Sequence, residues 1–147
     1  MKTTPPDLTE VEIAARLRLV VMRLARRLRQ QAPAGITPSQ LSVLATLSAR
    51  GAMTLGMLAE AERVRPPTMT RIIAALEADD LVVRDQDAED RRRVNILLTE
   101  RGRRLVATNR TRKTTYLGRR IASLPPADRA TLQRASEVLE RILEDPA

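Results

Sequence analysis

The chain has 147 residues, about the length of one domain, and 43% of them are hydrophobic, enough to close a core. It contains no Cys and no His, which excludes disulfides, thiol redox sensing, iron–sulfur clusters, thiolate or imidazole metal sites, His general bases and Ser-His-Asp triads. Lys and Arg total 26 against 18 Asp and Glu, a net charge of +8, and that excess favours a polyanionic partner, nucleic acid or an anionic membrane.

Phe and Trp are absent and Tyr116 is the one aromatic residue. A core of Leu, Ile, Val, Ala and Met suits helix-on-helix packing, so a mainly α fold is expected. Arg far outnumbers Lys, which fits a fork that grips phosphate and base edges, but equally fits codon usage in a GC-rich genome. Met1-Lys2-Thr3-Thr4-Pro5-Pro6 leads into charged, amphipathic sequence with no apolar signal core. The uncharged stretch from Ala32 to Ala49 contains two prolines, Gly35 and Gln40 and would not span a bilayer. A cytoplasmic protein without a membrane partner is expected.

From Asp7 to Gln31, Leu17, Val20, Val21, Leu24 and Leu28 recur at helical spacing among Arg16, Arg23, Arg26, Arg27 and Arg29. Ala32-Pro33-Ala34-Gly35 ends that helix. Thr37-Pro38-Ser39-Gln40 fits a capping box and opens a helix carrying Leu41, Leu44 and Leu47, closed by Gly51. Short helices are expected from Leu55 to Glu62, capped by Thr54, and from Pro66 to about Asp79. The period then changes to two: Leu81-Val82-Val83-Arg84 reads as one strand, and Val94, Ile96 and Leu98 mark another, with a charged loop between them. Thr99 caps a long basic helix to about Ser123. Pro125-Pro126 breaks it, and a last helix from about Ala127 to Glu144 carries Leu132, Val138, Leu139, Ile142 and Leu143.

Helix, turn, helix and hairpin over residues 54–98 is the layout of a winged helix. On a wheel of the helix from Pro66, Met69, Ile72, Ile73 and Leu76 share one sector and must face the core. The opposite side presents Pro67, Arg71 and Ala74, flanked by Thr68, Thr70 and Ala75. Small residues around one Arg can lie close to base edges, where Arg reads guanine and Thr bonds a base or phosphate or touches a thymine methyl; an ordinary exposed face is the other reading. Arg65 stands where a capping Ser, Asp or Thr is usual and cannot accept an N–H. Either a phosphate, helped by the helix dipole and Arg65, or water would satisfy the open amides. The loop from Arg84 to Arg93 holds four acids and four Arg, the acids first and Arg91-Arg92-Arg93 last. An adjacent Asp can brace one guanidinium so that it projects into a narrow minor groove, although many such loops are merely solvated charge.

The run Val64-Arg65-Pro66-Pro67-Thr68-Met69-Thr70-Arg71-Ile72-Ile73, with Leu76-Glu77 and Leu81-Val82-Val83-Arg84, resembles the recognition helix and first wing strand of the MarR family of transcriptional regulators. Asp87-Ala88-Glu89-Asp90-Arg91-Arg92-Arg93 is similar to that family's acidic-Arg wing, and Leu98-Thr99-Glu100-Arg101-Gly102 to the start of its long fifth helix. The motifs cover residues 37–102, and the flanking helices match in length and order only. The sequence departs from the family at Arg65 and at Asp79-Asp80, where a Gly is frequent. The resemblance implies an obligate homodimer with interlocking terminal helices, a wing Arg matching Arg92 in the minor groove with Asp90 holding it, and Pro67, Thr68, Thr70 and Arg71 in the major groove. It further implies a pseudo-palindromic operator, repression, and release by a small lipophilic or anionic effector in a cleft between the DNA-binding and dimerisation regions.

The expected architecture is thus mainly α with a small β-hairpin wing. A single unit over 1–147 would comprise a winged helix-turn-helix at 37–99 and a helical dimerisation region at 7–34 and 100–147. No resident cofactor and no metal are expected. Arg65, Pro67, Thr68, Thr70, Arg71, Asp90, Arg91, Arg92 and Arg93 are the candidate DNA contacts. The eight basic residues from Arg101 to Arg120 either touch flanking phosphates or form a solvated face. The terminal apolar seams could instead close a monomer. The main alternative is a helical protein–protein interaction module, an anti-regulator without DNA binding. Double-stranded RNA binding is another, and an enzyme is disfavoured because no paired carboxylates sit on an apolar stretch.

Overall fold

The computed structural model describes residues 8–144. Met1 to Asp7, where the first helix was expected to start, lie outside them, as do residues 145–147. Four helices open on a Thr whose hydroxyl accepts a first-turn amide N–H: α1 (Glu10–Arg29) on Thr9, α2 (Pro38–Arg50) on Thr37, α3 (Leu55–Ala61) on Thr54 and α5 (Glu100–Ala122) on Thr99. In α1 and α2 the bond is returned, Glu12 and Gln40 accepting from the cap amides at 2.9 and 2.8 Å, so the box expected at Thr37 is matched by a second at Thr9. The remaining helices are α4 (Pro66–Ala78) and α6 (Pro126–Glu144).

The hairpin joins β2 (Val82–Gln86) to β3 (Val94–Leu98), antiparallel, with Val82 opposite Leu98 and Gln86 opposite Val94. β2 runs two residues beyond the expected Arg84. A third strand, β1 (Met53–Thr54), pairs with the other edge of β3, Met53 opposite Ile96. The sequence reading did not foresee it, because two residues have no period to read.

The core is aliphatic, as the composition requires. Val43, Leu44 and Leu47 of α2, Leu58 of α3, Met69, Ile73 and Leu76 of α4, Leu81, Val82, Ile96 and Leu98 of the hairpin, and Val106 of α5 form one buried cluster. No residue of α1 or α6 is buried. Tyr116 on α5 lies under the Arg120 guanidinium, 5.4 Å from the ring centroid, in a groove against Gln30–Ala32.

Two turns set the direction of α4, and both end a helix in a Schellman pattern. After α3, Arg63 donates to the Glu60 carbonyl and Val64 to that of Ala59; after α4, Asp80 donates to Glu77 and Leu81 to Leu76. The left-handed residues are Arg63 (φ 53°) and Asp80 (φ 56°), so the second explains why a Gly is frequent at this place. Asp tolerates that conformation better than Arg does. The chain then locks onto α5: the Thr99 hydroxyl donates to the Asp80 carbonyl at 2.7 Å while accepting from Gly102 N at 3.0 Å. A Cβ on Gly102 would overlap the Leu81 carbonyl oxygen.

Gly102→Ala should therefore lower stability by about 1–3 kcal/mol, and Arg63→Gly should raise it by about 0.5–1 kcal/mol. Chemical denaturation of both variants checks this; a Gly102→Ala midpoint equal to the parent's would show that the joint is looser than described.

Candidate nucleic-acid interface

α4 is fixed on one side and open on the other. Met69, Ile73 and Leu76 have zero exposure, and Ile72 packs partly buried beside them. Pro67, Thr70, Arg71 and Ala74 are exposed, while Thr68 and Ala75 are half-buried at the border. The two faces divide as the helical wheel predicts. Thr70 has a smaller repertoire than its residue type suggests: its hydroxyl donates to the Pro66 carbonyl at 2.9 Å, leaving its oxygen to accept and its methyl to make contact.

The start of α4 departs from both readings of the uncapped amides. Arg65 makes no side-chain capping bond, but few amides are open to need one. Pro66 and Pro67 carry no N–H. Thr68 and Met69 donate to the Arg65 carbonyl at 3.0 and 3.1 Å. Neither phosphate nor water is needed at those positions. Part of the signal is in the sequence, since a proline pair removes two first-turn donors, while the Thr68 amide that a cap would serve turns back onto the Arg65 carbonyl.

The wing is tied to α4 by Glu77, whose two carboxylate oxygens accept from Arg84 Nε at 3.0 Å each. Behind it, the Glu62 carboxylate accepts from Ser42 and Thr46, both at 2.6 Å, joining α2 to the turn before α4. Neither pairing was anticipated, because partners 7 to 20 residues apart leave no local pattern.

At the wing tip, Asp90 does hold Arg92, but through the backbone: its Oδ1 accepts from Arg92 N at 3.0 Å. Among the described residues no ion pair joins Asp90 to Arg91, Arg92 or Arg93, so the expected bracing of a guanidinium is replaced by bracing of the main chain. Asp87, which the sequence reading did not single out, is the second fastener. Its Oδ1 accepts from the amides of Glu89 and Asp90 at 2.9 and 3.2 Å, and its own N–H donates to the Arg93 carbonyl at 2.9 Å. Two of the four acids, Asp87 and Asp90, thus bind the loop backbone, while Asp85, Glu89, Arg91, Arg92 and Arg93 stay exposed.

The two amides, above all that of Glu89, with a smaller contribution from the Arg93 charge, hold the Asp87 carboxyl below the ordinary aspartate range. A depressed folded value means that the charged turn is present above the unfolded value and is lost as pH falls through the folded one. The Asp87 carboxyl should accordingly titrate below a free aspartate by NMR, with Glu89 and Asp90 amide shifts following it. A midpoint at or above the ordinary value would mean an open tip.

Comparison with known proteins bears on the family and the fold. The MarR family model matches residues 36–94. An HTH-type transcriptional regulator of Mycobacterium bovis is 39% identical over 138 residues, covering 93% of this chain and 96% of its own. A transcriptional regulator of Pseudomonas aeruginosa has a solved structure that superposes with a TM-score of 0.82 at 34% identity, covering 96% of this chain and all of that one. A mutant of MepR from Staphylococcus aureus, solved bound to an oligodeoxyribonucleotide, shares the fold with a TM-score of 0.71 at 23% identity over 92% of this chain and 99% of its own. With its winged helix-turn-helix, Arg-tipped wing and relatives over nearly its whole length, the chain belongs to the MarR family of DNA-binding transcriptional regulators.

Proposed function

We propose that the protein is a homodimeric repressor that reads a pseudo-palindromic duplex operator. The observation that carries this reading is the arrangement of α4: Met69, Ile73 and Leu76 of its inner face are wholly buried, so Pro67, Thr70 and Arg71 are held outward beside an exposed arginine tip. In this reading α4 enters the major groove, where Arg71 reaches a guanine edge and Pro67, Thr68 and Thr70 make close contacts. Arg92 enters the minor groove, positioned by Asp90, while Arg65, Arg91 and Arg93 meet phosphates. The oligodeoxyribonucleotide on the MepR mutant supports duplex DNA as the partner of this fold.

Dimerisation rests on the terminal helices. α1 exposes Val11 (78%), Val20, Val21, Met22 and Leu24, and α6 exposes Leu132, Val138, Ile142 and Leu143 (85%). Apolar seams of that extent are what a second copy covers. Two-fold symmetry would set the recognition helices roughly 34–36 Å apart, one DNA turn.

The effector, a small lipophilic or anionic molecule, would enter a cleft of about 500 Å³ lined by Ile36, Leu41 and Ala45 on one wall and Arg29, Asn109 and Lys113 on the other. Asn109 Oδ1 is buried there without a hydrogen-bond partner among the described residues, an acceptor left for a ligand's donor.

Arg92→Ala should weaken operator binding by about 1–3 kcal/mol, and Arg71→Ala should relax sequence preference as well as affinity. Titrations on the selected operator and on random duplex at fixed salt check both. Unchanged Arg92→Ala affinity rejects the wing assignment, and equal Arg71→Ala losses on the two duplexes reject base reading. Sedimentation should show a dimer; a monomer that binds no duplex at low salt would overturn the proposal.

A further inference from the structure

Four helices of this protein begin on a Thr cap and one, the recognition helix, begins on Arg-Pro-Pro. The first four N–H groups of a helix ordinarily lack partners inside it, and at a nucleic-acid interface they form a ready main-chain clamp for a phosphate. At α4 that clamp is dismantled. Pro66 and Pro67 have no amide hydrogen, and the Thr68 amide is already bonded to the Arg65 carbonyl at 3.0 Å. Of the four, only Arg65's own amide is left. The one amide a capping side chain would serve, that of Thr68, rests on the Arg65 carbonyl instead, and the cap position carries a residue that cannot accept a hydrogen bond. The residue found there is an exposed Arg, in no ion pair among the described residues.

We infer that the proline pair transfers the phosphate contact at this end of the recognition helix from the main chain to the Arg65 guanidinium. The inference rests on the DNA-binding reading above and adds to it the means of anchoring. Main-chain amides fix a phosphate relative to the helix axis, so they also fix how deeply the helix sits. A guanidinium on a long flexible stem holds the same charge over a range of positions. The first turn of α4 then meets the groove with two pyrrolidine rings, which suit thymine methyls and give phosphate nothing to bind. Arg65 thereby supplies affinity without base preference, and it does so once per protomer.

The experiment is a salt titration of operator binding by the full-length protein and its variants, with thermal unfolding as the check on folding. Each phosphate neutralised contributes about 0.9 to the slope of log K against log salt, so Arg65→Ala should flatten the slope by about 1.8 in a dimer. Affinity should fall by a similar factor on operator and random duplex, since phosphate contacts carry no sequence. Arg65→Lys should retain the parental slope. An unchanged slope in Arg65→Ala overturns the inference, as does a loss confined to the operator. Failure of the parent protein to bind any duplex would sink the DNA-binding reading itself, a result distinct from either of those.

Discussion

The burial of Met69, Ile73 and Leu76 under the aliphatic core is the constraint on which the interface depends. Rolling α4 by a single residue would swing these side chains off their seats by about 100° and bring Thr70, Ala74 and Glu77 toward the core. Leaving a large aliphatic site filled by a small residue costs about 2–5 kcal/mol, and polar groups brought in with it would add more. The outward direction of Arg71 is therefore a consequence of packing behind it. The same rigidity passes to the wing through Glu77 and Arg84, an exposed pair of little stability value whose effect is to hold the hairpin against the helix.

Charge is organised by the same economy. The hairpin has as many acids as arginines between Arg84 and Arg93, but they play different parts. Asp87 and Asp90 spend their carboxylates on backbone amides, which orders the turn and removes them from competition for the guanidiniums. Three adjacent arginines are left facing solvent from a stiff base. A tip of equal composition with the acids paired to the arginines would leave fewer guanidinium N–H groups free for a partner.

Much of the architecture was legible because it is carried by local, periodic signals. The capping box at Thr37, the two faces of α4, the alternation in β3 and the break at Pro125-Pro126 each involve residues a few positions apart. The missed features are of two kinds. β1 is too short to show a period and exists only because β3 offers it an edge. The Glu77–Arg84 and Glu62–Ser42–Thr46 links join residues that only the fold brings together. The resemblance supplies the pair at the wing, Asp90 and Arg92, while the residues alone suggest a braced guanidinium; the brace falls on the main chain because a carboxylate two residues before an amide closes a tight turn more readily than it reaches a long side chain. At Arg65 the sequence shows a residue that cannot cap, and the adjacent prolines remove two of the amides that would otherwise stand open.

The stacking of Arg120 over Tyr116 has a practical side. With no indole and no second phenol in the chain, all near-ultraviolet absorption and intrinsic emission come from one ring. That ring sits where the end of α1 meets the last third of α5, the helix whose first turns reach the core at Val106. The polypeptide thus carries a native single-site optical probe at the contact between α1 and α5, readable without a label or an engineered residue.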